Sequence, residues 1–141
     1  AGETVEGLFR RIGGIIKTCH SPHLIFIMTG INNVASGDLD FIDTYRGVCN
    51  KLFDAYPSAK IFIHSLLPNR LPWISPDFLQ SVNRSIKKLA QETGVEYLDL
   101  YPEFLDKDDT PSKAYFLDDG VHLSQKGYAI WSDVLATVIN R

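Results

Sequence analysis

The order of elements along the sequence predicts a three-layer α/β/α sandwich around a parallel sheet. Three short runs are apolar on both faces, as strands buried in a parallel sheet are. These runs cover residues 23–29, 60–66 and 95–100. Around them, apolar residues recur every three or four positions, which is the spacing of amphipathic helices. Strands that alternate with helices in this way build parallel sheets, because each crossover between parallel strands needs a long connection.

Four helices are predicted, one before the first strand and one after each strand. They cover residues 5–16, 41–53, 78–90 and 124–138. Pro57 and Gly94 end the second and third helices, and Ser124 is a suitable N-cap for the last. The predicted inner face of the last helix consists of Tyr128, Trp131, Val134, Leu135 and Val138. A polar loop is expected over residues 32–40, and a proline-rich loop follows the second strand.

Composition indicates one globular domain over residues 1–141, with 45% hydrophobic and 22% charged residues. The net charge of −3 argues against a nucleic-acid partner, which usually requires a basic surface. No apolar run reaches the roughly 18 residues of a transmembrane segment. Cys19 and Cys49 are expected to be free thiols, with a single disulfide as the alternative. No histidines or cysteines have metal-ligand spacing, so no metal is predicted.

The first candidate for chemistry is Asp119-Gly120-Val121-His122, just before the last helix. A glycine turn can bring the carboxylate and the imidazole of one loop together. The carboxylate would then orient the ring and leave its other nitrogen free as a general base. The alternative is an ordinary loop aspartate followed by a histidine near a helix N-terminus.

The second candidate is Gly30-Ile31-Asn32-Asn33, at the end of the first predicted strand. Ligands of parallel α/β sheets collect at the carboxyl ends of strands, and an amide there can donate to a developing oxyanion. The alternative is a plain turn, since Gly and Asn are turn residues. The third candidate is Gly2, whose backbone N–H could approach a substrate closely or simply lead into the first helix.

Together and in this order, these motifs resemble the SGNH hydrolase family, also called GDSL esterases and lipases. The family has a serine, a glycine, an asparagine in a G-x-N-D motif and a D-x-x-H near the C-terminus. Gly2, Asn32, Asp119 and His122 match the last three of these blocks, and the segment from Leu123 to Tyr128 is also family-like. The resemblance implies a flavodoxin-like fold and no cofactor. It also implies that His122 is the general base, that Asp119 orients it, and that Asn32 and Gly2 donate to the oxyanion.

Two departures from the family pattern have consequences. Asn33 stands where the family usually has aspartate, a position that mainly braces the loop, so the oxyanion donor should survive. No Gly-Asp-Ser motif follows a first strand, and Ser36-Gly37-Asp38 has these letters in another order. A parallel sheet that starts on a helix would also lack a central strand and leave an unpaired edge. We therefore expect the first strand or strands, with the nucleophilic serine, to lie upstream of Ala1, and an N-terminal fragment of the same protein to be a partner.

The resemblance implies a small-molecule ester substrate: an acylated sugar, a lipid or a short acyl ester. The competing hypothesis is a non-catalytic carbohydrate- or lipid-binding domain on a degenerate SGNH scaffold. A nucleotide-binding domain is disfavoured because no glycine-rich phosphate loop follows a strand. His64, at the end of the second strand, could contact substrate or be a structural group. Trp73 could form a wall of the substrate pocket or cap the core. The compartment is left open.

Overall fold

The computed structural model describes residues 3–140. It contains a parallel sheet of three strands in the order β1-β2-β3, formed by β1 (Leu24–Ile27), β2 (Lys60–His64) and β3 (Glu96–Leu98). β1 pairs with β2 from Leu24↔Lys60 onward, and β2 pairs with β3 from Phe62↔Glu96 onward. The α/β class and the parallel sheet predicted from the sequence are confirmed.

The major helices are α1 (Val5–Thr18), α3 (Ile42–Ala55), α4 (Pro76–Thr93) and α5 (Gln125–Ile139). A short helix, α2 (Ile31–Ala35), overlaps the first residues of the stretch predicted as a loop over residues 32–40, so that loop prediction is wrong at its start. One 3₁₀ turn covers Tyr101–Phe104. α2 was missed because a helix of five residues is too short for a periodic signal.

The sheet divides the core into two layers of different depth. Alternate strand residues such as Ile27, Ile61 and Ile63 face α1, α3 and α4. The connections β1→β2 and β2→β3 run in the same direction along the sheet, so right-handed crossovers place α3 and α4 on one face. Phe62 and Leu98 face the opposite side, where α5 packs. The result is the expected three-layer sandwich.

β2 and β3 end before their predicted C-terminal residues, at positions where side chains bond the backbone in place of a neighbouring strand. The Leu66 N–H donates to Asn83 Oδ1 at 2.7 Å, and Asn83 Nδ2 donates to the Leu66 carbonyl at 3.1 Å. Ser65 Oγ accepts the N–H groups of Leu100 and Tyr101. Buried side chains thus satisfy the backbone just beyond β2 and β3, where loops are free to carry functional groups.

α5 begins as predicted but buries less of its apolar face than expected. Ser124 Oγ accepts the Gly127 N–H at 3.2 Å, which confirms the N-cap. Of the five residues predicted to face inward, only Val138 is fully buried, and Tyr128 is 54% exposed. The prediction for Tyr128 is therefore wrong. Among the described residues, β1 is an edge strand with β2 as its one neighbour. Cys19 and Cys49 are both free.

Candidate active site

Asp119 and His122 lie in contact on the turn that precedes α5. Asp119 Oδ2 is 2.5 Å from His122 Nδ1. Asp119 Oδ1 accepts the backbone N–H groups of Val121 and His122, each at 2.9 Å. One carboxylate oxygen therefore shapes the turn, and the other orients the imidazole. With the proton of the ring on Nδ1, facing the carboxylate, Nε2 is left as a proton acceptor.

These hydrogen bonds keep the Asp119 carboxylate charged. They lower its pKa from 3.8 to about 2, and the largest cause is the Val121 N–H, followed by the His122 ring and the His122 N–H. Both side chains are about half exposed, so solvent screens the pair and its contribution to stability is small. The carboxylate is consequently available at neutral pH to stabilise a protonated imidazole.

A neighbouring loop holds this turn in place. Gly120 adopts φ +73°, a left-handed backbone conformation that residues other than glycine rarely adopt. The Arg70 N–H donates to the Gly120 carbonyl at 3.0 Å. A Cβ on Gly120 would lie 2.8 Å from the Arg70 Cβ. The glycine therefore serves two purposes, the turn itself and the close approach of the loop that follows β2.

The start of α5 is fixed against the preceding segment. Ser124 Oγ donates to the Ala114 carbonyl at 2.6 Å, and the Ser124 N–H donates to the Tyr115 carbonyl at 3.0 Å. The Tyr115 oxygen lies so close to Gly127 that a Cβ there would be 2.2 Å away. Because a Cβ cannot approach a backbone atom this closely, only glycine fits. The turn of Asp119 and His122 is thus anchored on both sides.

Asn32 lies in the first turn of α2, directly after β1 and Gly30. Its Nδ2 donates to the Glu3 carbonyl at 2.8 Å, which ties α2 to the segment before α1. An amide nitrogen carries two protons, and the second has no partner among residues 3–140. That proton is available to a ligand. Gly2, the other predicted oxyanion donor, lies outside the described residues.

Asn33 braces the loop, as the sequence predicts for this position. It is 1% exposed, and its Oδ1 accepts the Val5 N–H at 3.0 Å. This bond satisfies one of the free donors at the start of α1. Asn32 and Asn33 together therefore attach both α1 and its leading segment to the end of β1.

Asn32 and His122 line the same cavity of about 340 Å³, although they are ninety residues apart in the chain. The other polar groups are Thr29 and Asn69, which sequence reasoning missed. Thr29 Oγ1 and Asn69 Nδ2 are buried without a hydrogen-bond partner in the described chain. Their positions after β1 and β2 were the available signal, because the carboxyl ends of parallel strands meet at one edge.

The remaining wall of the cavity is apolar. Its residues come from the ends of β1 and β2, the start of α2, the turn that carries Asp119 and His122, and α5. They are Met28, Ile31, Leu66, Leu67, Pro68, Val121, Leu123, Tyr128 and Trp131. A largely apolar cleft with a few polar atoms is the usual form of a small-molecule site.

His64 lies behind the cavity and does not line it. It is 1% exposed, and its ring packs edge-on against Phe26 and Trp131, with centroids 5.8 Å and 6.0 Å away. Trp131 Nε1 donates to His64 Nδ1 at 3.4 Å. Burial lowers the pKa of His64 to about 4, so the ring is neutral. Of the two alternatives, this placement favours the structural group, which supports the Trp131 wall.

Trp73 also stands apart from the cavity lining. It is 65% exposed, and its Nε1 donates to the Ala35 carbonyl at 2.9 Å. The indole therefore neither walls the cavity nor caps the core, which were the two alternatives drawn from the sequence. Its bond to Ala35 fastens the proline-rich loop to the end of α2.

Within residues 3–140, no group of three or more His, Cys, Asp or Glu side chains is placed to hold a metal ion. No described helix is both long and apolar enough to cross a membrane.

The fold places this chain among α/β proteins that resemble solved GDSL-like lipases and esterases. A Streptococcus pneumoniae protein, provisionally described as a platelet activating factor, superposes with a TM-score of 0.85 at 21% identity, over 97% of this chain and 68% of that one. A GDSL-like lipase from Bacteroides thetaiotaomicron gives 0.77 at 23% identity, over 99% and 72%. An acetylxylan esterase from Geobacillus stearothermophilus gives 0.72 at 22% identity, over 96% and 67%.

The sequence itself shows the family. Residues 1–130 match the model of the GDSL-like Lipase/Acylhydrolase family, and the chain belongs to that family. The resemblance drawn from Asn32, Asp119 and His122 is therefore confirmed at the level of family and fold. The roles of the individual residues remain predictions. No protein with a curated description matches the sequence.

Proposed function

We propose that this chain belongs to a serine-dependent hydrolase of carboxylic esters, with His122 and Asp119 as its acid–base pair. The observation that carries the proposal is the 2.5 Å contact between Asp119 Oδ2 and His122 Nδ1, at the edge of a cavity that Asn32 shares. This arrangement supplies a general base, the group that orients it and a donor for negative charge on oxygen. Acyl transfer needs these three elements beside its nucleophile.

Each residue has a defined part in the reaction. His122 Nε2 takes the proton of the serine hydroxyl as its oxygen attacks the ester carbonyl carbon. The carbonyl oxygen becomes an oxyanion, to which the free amide proton of Asn32 donates, together with the Gly2 N–H. As the tetrahedral intermediate collapses, His122 gives its proton to the departing alcohol. Water then enters by the same steps, the acid is released and the serine is restored.

The nucleophile is proposed to lie upstream of Ala1. No serine is among the described residues that line the cavity. Ser124, the serine nearest in sequence to His122, donates instead to the Ala114 carbonyl. β1 also has one unpaired edge in the described chain, beside the half-buried Leu24 and Phe26. A preceding strand that pairs with this edge and ends in the serine would supply both missing features, whether in one chain or as a separate N-terminal fragment.

The proposed substrate is a small-molecule ester: an acylated sugar, a lipid or a short acyl ester. The largely apolar cavity of about 340 Å³ suits an acyl group. The likeness to an acetylxylan esterase is consistent with a short acyl group on a sugar.

Labelling of the complete protein with a fluorophosphonate tests this proposal, because the probe reacts with activated serines. Peptide mapping by mass spectrometry should locate the adduct on a serine outside residues 1–141. His122→Ala should abolish labelling, whereas His20→Ala, at the opposite end of β1, should not. An unlabelled protein with intact ester substrate would refute the hydrolase and favour the binding domain. Labelling on a serine within the chain would refute the upstream location.

A further inference from the structure

The amide of Asn33 touches two carboxylates. Its Nδ2 donates to Glu6 Oε1 at 2.6 Å and to Asp38 Oδ2 at 2.9 Å. Glu6 lies in the first turn of α1, and Asp38 lies in the loop after α2. Both protons of this nitrogen are therefore used, and each goes to a negatively charged acceptor, which makes the stronger kind of hydrogen bond.

The orientation of the amide is fixed by its neighbours. The Val5 N–H donates to Oδ1, so this atom must be an acceptor. The opposite atom faces two carboxylates and must be a donor. The backbone carbonyl of Asn33 adds a third set of bonds, because it accepts the Asp38 N–H at 2.8 Å and the Ser36 hydroxyl at 3.0 Å. The side-chain oxygen, both amide protons and the backbone carbonyl of Asn33 thus have partners at a site that is 1% exposed.

We propose that Glu6, Asn33 and Asp38 form an amide–dicarboxylate clamp, and that Asn33 is a positioning residue of the active site which must be uncharged. Asn33 holds the start of α1 through Val5, and the adjacent Asn32 holds the Glu3 carbonyl. The clamp therefore fixes where the segment before α1 lies relative to the Asn32 amide. The catalytic part of this inference rests on the proposed function, but the clamp itself does not.

The charges around the clamp explain why an amide is required. An aspartate at position 33 would have the same shape but would place a third carboxylate against Glu6 and Asp38. Arg10 and Asp43 line the shallow depression beside Glu6. Among the described residues, neither Glu6 nor Asp38 takes part in an ion pair, so no cation in direct contact offsets the added charge. Because position 33 is itself 1% exposed, two carboxylates at this distance raise the pKa of a carboxyl group added there.

The decisive variant is Asn33→Asp in the complete protein. We expect its thermal midpoint at pH 8 to fall by about 5 °C or more. The added carboxyl has a raised pKa, so the folded state holds its proton longer than the unfolded state. The loss is therefore small near pH 4 and grows as the pH rises. The kcat should fall about tenfold while KM changes little, because the oxyanion donor is displaced and not removed.

Rescue separates this charge effect from simple packing. Glu6→Gln keeps a carbonyl oxygen that accepts from Asn33, so alone it should leave the midpoint nearly unchanged. Asp38→Asn also keeps one such oxygen but loses the acceptor of the exposed Asp40 N–H, so alone it should lower the midpoint slightly. Combined with Asn33→Asp, they should restore most of the loss at pH 8. An Asn33→Asp protein as stable as its parent at pH 8, or one equally unstable at all pH values and not rescued, would overturn the clamp. Rescue of stability in a protein without esterase activity would keep the clamp and reject the hydrolase.

Discussion

The side chains on the two faces of the sheet are buried to different extents. On the face covered by α1, α3 and α4, side chains such as Ile12, Ile63 and Leu89 are at most 2% exposed. On the opposite face, α5 leaves Trp131 and Leu135 only partly buried. Tyr128 is more than half exposed, and the His64 Nε2 has no described partner. The first face has the larger buried core, and the second buries fewer side chains and leaves much of α5 exposed.

This difference shows where stability and chemistry lie in the molecule. The dense face holds the strands in register, which fixes the points where β1 and β2 end. The cavity and the turn that carries Asp119 and His122 lie on the second, less covered face, next to α5. Groups there keep access to solvent and substrate, so their removal should cost activity more than stability. The following predictions test that division, from the largest effect to the smallest.

The largest expected effect is on activity at the less covered face. Asp119→Asn removes the acceptor that orients His122, so kcat/KM of the complete protein should fall by about 10²- to 10⁴-fold. The midpoint of unfolding at pH 7 should fall only slightly, since the pair is half exposed. The control is Asp118→Asn, an exposed neighbour that should retain full activity. Activity within threefold of the parent would exclude Asp119 from the mechanism.

The next effect compares the same substitution on the two faces. Leu89→Ala, at a site with 0% exposure on α4, should destabilise by about 2–5 kcal/mol in denaturant unfolding. Leu135→Ala, partly buried on α5, should cost about 1 kcal/mol, because less apolar surface is lost. Equal costs in the complete protein would show that α5 is packed as closely as α4 and would contradict this division.

The smallest effect is a dependence of stability on acid pH. The pKa of Asp119 is lowered to about 2 in the folded protein, so the folded state releases its proton more readily than the unfolded state. Its contribution is present above about pH 4 and is lost as the pH falls toward 2. The thermal midpoints of the parent and Asp119→Asn should therefore converge between pH 4 and pH 2. A constant difference across this range would contradict the assignment.

Local pattern determined the fold class, the strands and the major helices. Apolar runs, helical spacing and caps such as Ser124 depend only on residues close together in the chain. They can therefore be predicted without the structure. The pattern failed where tertiary contacts intervene. Beyond β2, which ends at His64, Asn83 bonds the Leu66 backbone, and beyond β3 the Ser65 hydroxyl accepts the Leu100 N–H. Tyr128 follows the apolar period of α5 but is exposed, since periodicity does not reveal how much of a face is covered.

The contact between Asp119 and His122 was also predictable, because three residues and one glycine turn suffice to make it. The resemblance implied that Asn32 and His122 serve one site, but only the structure decided that Thr29 and Asn69 line the same cavity, since this depends on how the strand ends meet in space. It also decided that His64 lies behind Trp131, and that Asn33 faces two carboxylates from separate segments. Sequence specifies what each residue can do chemically, but only packing brings distant groups within the 3 Å at which hydrogen bonds act.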